Sequence, residues 1–328
     1  MLVRYDPIDK PLYEVGPGLK PLGADLGQGE FDQKIFQIDD LFEASRQNKI
    51  SCLKEDPAKY HLTHQLTSEI EHTSSLFMVR RLAAEYPQHF TLTRQDELIQ
   101  LQCHLTKDTI ELRENGQFFS FQTKDEVLLS ANLHIGSAMH ALALQVQEDF
   151  ALCRQAQERD FLCALHICAP SHWSPEVKIG QSFFQVHAPV PGIEKLNRSA
   201  SQMVQAMIHK GPFVRFVWSF VTDERLNHHP QPPPGWDLAE WKGRSFHLQN
   251  DPPFFLRVER QTTFGFPELN FAFFSIRISF WSANEIRADE QKRQNLLGAL
   301  HSMSPESRRY KGVENCFSEL TAWLKEVK

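Results

Sequence analysis

The sequence predicts an α+β fold: an antiparallel sheet with flanking helices and an extended N-terminal arm. Three observations carry this. Strand-like apolar runs follow one another between residues 161 and 281 without regular βαβ alternation, which argues against a doubly wound parallel sheet. Helical stripes stand before and after those runs. Residues 1–35 are rich in Gly and Pro with little periodicity, and read as an arm laid over a folded body.

The elements follow in order. Leu66, Ile70, Phe77, Leu82 and Tyr86 approximate a helical stripe over 66–86, and Pro87 stops it. Residues 90–105 and 109–121 read as two strands around a turn, with Asn115-Gly116 as a further turn signal in the second. Residues 125–157 read as one long helix or two, with Leu128, Leu133, Leu142, Val146 and Phe150 on an apolar face. The acids Glu148 and Asp149 then read as a solvated helix end. Residues 161–169 form a buried strand, 170–175 a loop, 182–187 a strand and 196–209 a helix. Strands at 212–221 and 254–263 flank a Pro-rich insertion read as a surface loop. A Phe-rich strand at 270–281 precedes helices near 285–301 and 313–325.

Composition narrows the function. The chain has 328 residues, with a formal charge of −6, 25 Phe, 15 His and 19 Pro. A net acidic chain lacks the basic excess that coating nucleic acid requires. The longest apolar run, around 271–281, is interrupted by Ser275, Arg277 and Ser279 and is shorter than the ~20 residues that span a bilayer. No nucleic-acid partner and no membrane association are therefore expected. The N-terminus lacks the apolar block of a signal peptide, and the six cysteines form no CxxC pair, so a cytoplasmic, reducing setting is expected. No GxGxxG, phosphate loop or GxSxG is present. The length fits two domains or one large one, divided as a region 1–144 packed on a core 145–328, possibly one continuous domain.

Individual side chains then matter. His61 and His64 stand three apart without an acid at a recognised ligand spacing. His166 reads as a core histidine, His228-His229 as a solvated pair, and His172 as ambiguous. His187 precedes Ala188-Pro189-Val190-Pro191, whose prolines stiffen the departing backbone. A stiff backbone can present one imidazole nitrogen to a haem iron, with Phe183, Phe184 and the Phe-rich strand as apolar walls. A structural histidine at a strand end is the alternative. On a strand, Arg257, Glu259 and Gln261 share one face, while Val258 and Arg260 share the other. Such a polar row pairs with itself or meets a ligand, since burying it unpaired is costly. Arg215, in an otherwise apolar strand, poses the same question.

The order Pro170-Ser171-x-Trp173-x-Pro175, Lys178-Ile179-Gly180, Val186-His187-x-Pro189-Val190-Pro191, Arg215-x-x-Trp218, Leu256-Arg257-Val258-Glu259-Arg260-Gln261-Thr262, Pro267 and Phe274-x-Ile276-Arg277 resembles the haem-binding alpha subunit of haem-dependent oxidative N-demethylase. The resemblance is densest over about 145–281, and Tyr86-Pro87 and Val146-Gln147-Glu148-Asp149 are its best matches elsewhere. It implies a PAS-like antiparallel fold holding haem b and the oxidation of a small secondary amine by oxygen, with release of an aldehyde such as formaldehyde. Electrons would come from a flavin and iron–sulfur reductase on another chain, since no redox motif is present here. By the same resemblance, His187 is the axial ligand. Arg215 and Arg257 hold propionates or polarise oxygen, Glu259 holds the amine, and Lys178 and Trp218 complete the cofactor-binding set. Val217 stands where the family carries Asn, and Thr263-Phe264-Gly265 replaces a more polar run. A haem-based or small-ligand sensor without turnover is the alternative from another class, and a cofactor-free interaction protein the third.

Overall fold

The computed structural model describes residues 1–193 and 200–326. Eleven strands are found among them: β1 (Lys20–Pro21), β2 (His61–Thr63), β3 (Phe90–Gln95), β4 (Leu98–Cys103), β5 (Thr109–Arg113), β6 (Phe118–Gln122), β7 (Asp149–Ala156), β8 (Arg159–His166), β9 (Phe213–Val221), β10 (Phe255–Phe266) and β11 (Phe271–Ser282). They build two antiparallel sheets. The larger runs β1-β9-β10-β11-β7-β8-β2, and the smaller is the meander β3-β4-β5-β6. The expected mixed fold with antiparallel sheets is therefore present.

The long hairpin β10–β11 organises the molecule. Pro267 opens a single 3₁₀ turn and Asn270 takes the left-handed conformation, φ 51°, that reverses the chain. The hairpin is in register from Phe255↔Ser282 to Phe266↔Phe271, so alternate side chains fall on opposite faces over its whole length. On one face Ile276, Ile278 and Phe280 join Ala151, Leu165, Ile167 and Val221, with Trp173 and Ile179 packed against them. On the other, Phe271 and Phe273 pack with Phe150, Leu152 and Phe36 against Phe77, Met78 and Leu82 of helix Ser68–Glu85. Further along that second face, Trp218, Phe220, Leu256 and Val258 meet Leu296, Leu300, Leu320 and Leu324 of the C-terminal helices.

Several expected elements are corrected. No helix runs over 125–157. Helices Glu126–Ala131 and Ala138–Ala143 are followed by β7, and Glu148 and Asp149 are buried. Both acids meet distant backbone donors, Gln37 N–H to Glu148 at 2.7 Å and Ala169 N–H to Asp149 at 2.6 Å. The strands expected at 90–105 and 109–121 are each a hairpin, the first reversing at Asp96, φ 54°, and the second around Asn115-Gly116. The expected strand 182–187 is the helix Phe183–His187. Ser182 and Gln185 close it with a reciprocal side-chain cap, an interaction worth ~1 kcal/mol. Helix 285–301 is two helices, Ala283–Ala288 and Glu290–Ser302, because Asp289 caps the second. Helices Phe42–Glu55 and Pro305–Lys311 were not anticipated. Of the helix expected at 196–209, Ala200–His209 is present, and 196–199 lie outside the described residues. His228 and His229 are buried rather than solvated. Five cysteines are buried and Cys316 is half-buried, all as free thiols. Among the described residues no helix is long and apolar enough to cross a membrane.

Candidate functional site

His187 ends its five-residue helix. Its Nδ1 lies 2.8 Å from the Phe183 carbonyl, which can only accept, so Nδ1 carries the proton and Nε2 keeps its lone pair. The Phe183 ring packs against it at 4.2 Å, tilted by 34°, while Phe184, expected as a wall, is half exposed. Burial pushes the His187 imidazole down to about 4, with the Arg215 and Lys178 cations acting in the same direction and the Phe183 bond opposing them. The ring is therefore neutral at pH 7, held by Nδ1 and with no hydrogen bond at Nε2 among the described residues.

Lys178 supports this arrangement. It ends the helix Pro175–Lys178 and donates from Nζ to the Val186 carbonyl at 2.8 Å. The same short helix carries Glu176, which receives the His229 Nε2 at 3.0 Å, and Trp241 Nε1 donates to the His229 carbonyl at 2.6 Å. The Pro-rich segment is thus tied to the turn that presents His187.

The polar row lies on the sheet face that carries Ile276, Ile278 and Phe280. Cross-strand register sets Arg215 opposite Gln261, Val217 opposite Glu259 and Ser219 opposite Arg257. Gln261 donates to Glu259 Oε2 at 2.9 Å, and Arg257 Nε stands 3.8 Å from Glu259 Oε1. The fully buried Arg257 spends its terminal nitrogens on the carbonyls of Leu226, at 2.9 Å, and Ala169. It clamps two loops over the sheet. Arg260 points to the opposite face and binds the Lys34 carbonyl at 2.7 Å. Arg215 makes no hydrogen bond or ion pair among the described residues, its Nε is buried without an acceptor, and Glu259 is the carboxylate that acts on it. Val217 is the direct cross-strand neighbour of Glu259.

Sequence reasoning brought together His187, Lys178, Arg215, Glu259, Gln261 and Arg257. Trp218 does not join them. It alternates to the other face, edge-on to Tyr13 and Phe220 at 5.7 Å each. Three residues were missed, and two histidines were weighed in the sequence without being assigned to the site. The buried Lys311 donates to the Trp218 carbonyl and is pushed down to about 8 by burial, with Glu259 opposing. Tyr310 also feels Glu259, which with burial raises its phenol. Arg244 packs on Gly312 beside them, and His172 and His228 pack together at 5.2 Å. Arg244, Tyr310 and Lys311 come from a loop and a C-terminal helix outside the motifs, and no local pattern marks them, whereas His172 lies inside the run Pro170 to Pro175. His61 packs with His140 at 4.7 Å and His166 at 5.3 Å, while His64 turns away to Phe161, so that pair does not act together.

The donor set fits haem. A neutral imidazole with its second nitrogen bonded to a carbonyl is what an axial ligand requires. The buried, unpartnered Arg215 nitrogen suits a carboxylate at the macrocycle edge. Phe274, Ile276, Ile278 and Phe280 supply apolar surface beside it. A groove of about 600 Å³ lined by Pro11, Arg293, Leu297 and His301 lies on the C-terminal helices and shares no residue with this group. Its Arg293 is already paired with Glu290. A family model described as haem-dependent oxidative N-demethylase, alpha subunit-like, matches residues 29–320.

Proposed function

The chain belongs to the haem-dependent oxidative N-demethylase, alpha subunit-like family, the match covering most of its length, and from that membership we propose that it holds haem b through His187 and demethylates a small secondary amine. The core would be residues 145–328, PAS-like in architecture, with 1–144 packed on it. Bound haem would supply oxygen activation: a methyl-substituted secondary amine, O₂, two electrons and two protons give a primary amine, formaldehyde and water. The chain has no redox motif of its own, so the electrons are assigned to a flavin and iron–sulfur reductase on another chain, in the cytoplasm.

Each residue then has a defined task. The Phe183 carbonyl fixes the His187 tautomer and aims Nε2. Arg215 offers a guanidinium without a hydrogen-bond partner among the described residues to a propionate or to oxygen. Glu259 offers the negative charge that an ammonium substrate needs, in a site where low dielectric strengthens the pair. Gln261 orients that carboxylate, and Arg257 holds the Ala169 and Leu226 loops closed over the face.

The observation that carries this reading is the Nδ1 bond of His187, with no partner for Nε2 among the described residues. His187→Ala is expected to lose haem or shift its Soret band strongly, while His61→Ala and His228→Ala keep the wild-type spectrum. An unchanged spectrum in His187→Ala would move the ligand elsewhere. Turnover of dimethylamine with an electron donor separates an enzyme from a haem-based sensor.

A further inference from the structure

Between the Pro-rich segment and the sheet face, two buried side-chain nitrogens have no hydrogen-bond partner among the described residues. The first is Arg244. Its side chain lies over Gly312, where an added Cβ would sit 3.0 Å from Arg244 Cδ and 3.1 Å from Nε. Its Nε is buried and unbonded, and among the described residues Arg244 makes no ion pair. The second is His172, whose Nε2 is likewise buried and unbonded. His172 takes φ 61°, uncommon for a residue with a side chain, and its ring is 5.2 Å from that of His228. Gly243, just before Arg244, packs on that same imidazole, its missing Cβ 3.0 Å from His228 Nε2. Gly243 and His172 therefore both adjoin the His228 ring, and the Arg244 charge next in the chain acts on His172.

The nearby acids are committed. Asp223 takes two Arg225 nitrogens at 2.9 and 3.0 Å and faces His228 at 3.3 Å, and Glu259 takes Gln261 and faces Arg257. A buried donor without an acceptor carries its full desolvation penalty. A carboxylate relieves two such groups at once, one oxygen facing the guanidinium and the other an imidazole N–H. Burial, with Arg244, His228 and Arg257 acting in the same direction and Asp223 opposing, pushes His172 down to about 2.

We propose that Arg244 and His172 form a carboxylate subsite beside the Glu259 face, filled either by a propionate of bound haem or by a free small acid. The first source rests on the haem reading above. The second does not.

Soret titrations of wild type and Arg244→Gln with protohaem and with its dimethyl ester test the first source. Titration of the haem-free chain with propionate, followed by imidazole NMR of His172 against a chloride control, tests the second. If haem supplies the group, wild type binds protohaem at least tenfold more tightly than the ester. Arg244→Gln then removes that difference and leaves ester affinity unchanged. If a free acid supplies it, both haem affinities survive the substitution. Propionate then shifts His172 saturably in wild type and not in Arg244→Gln. His172→Gln is the second variant should Arg244→Gln not fold, and it is expected to weaken the same binding. Unchanged haem affinities together with no specific propionate response overturn the proposal. Should wild type take up neither haem nor its ester, the haem reading fails, and the propionate titration alone decides the subsite.

Discussion

Lys178 Nζ donates to the Val186 carbonyl at 2.8 Å, joining two four- and five-residue helices that would not persist alone. Val186 immediately precedes His187, so this bond sets the end of the helix that carries the imidazole. Lys178→Met keeps the stem and removes the donor. It is expected to leave haem bound through His187 but to weaken affinity by about tenfold, near the low end of the ~1.5–3 kcal/mol of one hydrogen bond from a charged donor. A Soret titration measures this. Wild-type affinity would show that the Ser182 cap alone holds the helix.

The two strands of β10–β11 were legible as apolar, β-favouring runs that follow one another closely, and Ser275-Ile276-Arg277-Ile278-Ser279-Phe280 alternates polar with apolar. Strand periodicity also placed Arg257, Glu259 and Gln261 on one face, and the register confirms it. Other features were illegible for a shared reason. Phe183-Phe184-Gln185-Val186 has strand-like residues, and only Ser182 with Gln185 and the Phe183 N–H to Asp160, 2.5 Å, make it helical. The stripe through Val146 and Phe150 continues into residues whose acids are satisfied from more than a hundred residues upstream at Gln37 and twenty downstream at Ala169. Arg244 and Lys311 reach the site through tertiary packing, and neither belongs to a local motif.

Glu259→Gln keeps the shape of its side chain and removes its charge. Arg257 retains two carbonyl partners, so the melting temperature is expected to change little. Amine binding, followed in the Soret region, is expected to weaken at least tenfold, because the negative charge nearest Arg215 has gone. A large drop in melting temperature, with amine binding intact, would instead make Glu259 a structural partner of Arg257. Loss of a buried pair's partner costs ~3–5 kcal/mol.

Gly265 on β10 is a contact that no side chain can share. An added Cβ would lie 1.9 Å from the Ile208 carbonyl at the end of helix Ala200–His209. That helix and the helix of His187 are neighbours, so displacing one disturbs the other. Gly265→Ala is expected to cost ~1–3 kcal/mol in stability through overpacking, and to reduce haem affinity with it. Thermal melting and a haem titration of the same preparation check both, and an unchanged melting curve would show that the helix shifts freely.

The last prediction concerns acid. His61, His140 and His166 pack ring to ring, at 4.7, 5.3 and 5.5 Å, with His134 acting on His140 and Lys49 on His166. Burial pushes His140 from 6.5 to about 3, and lowers His61 and His166 as well. Between the folded and unfolded values the unfolded chain binds more protons, so this stabilisation is complete above about pH 6.5 and is lost as pH falls. At pH 5 His140 alone accounts for ~2 kcal/mol, from about 1.5 pH units at 1.36 kcal/mol each. Glu148 has the opposite sign. Burial raises it from 4.5 to about 7, so over that window the fold holds a proton that the unfolded chain has released, and stability falls as pH rises. The two partly cancel in the wild-type curve, and difference measurements separate them. His140→Gln is expected to lose less stability than wild type between pH 7 and pH 5, and Glu148→Gln to lose more. Parallel melting curves for all three proteins across that range would show that neither group titrates with unfolding.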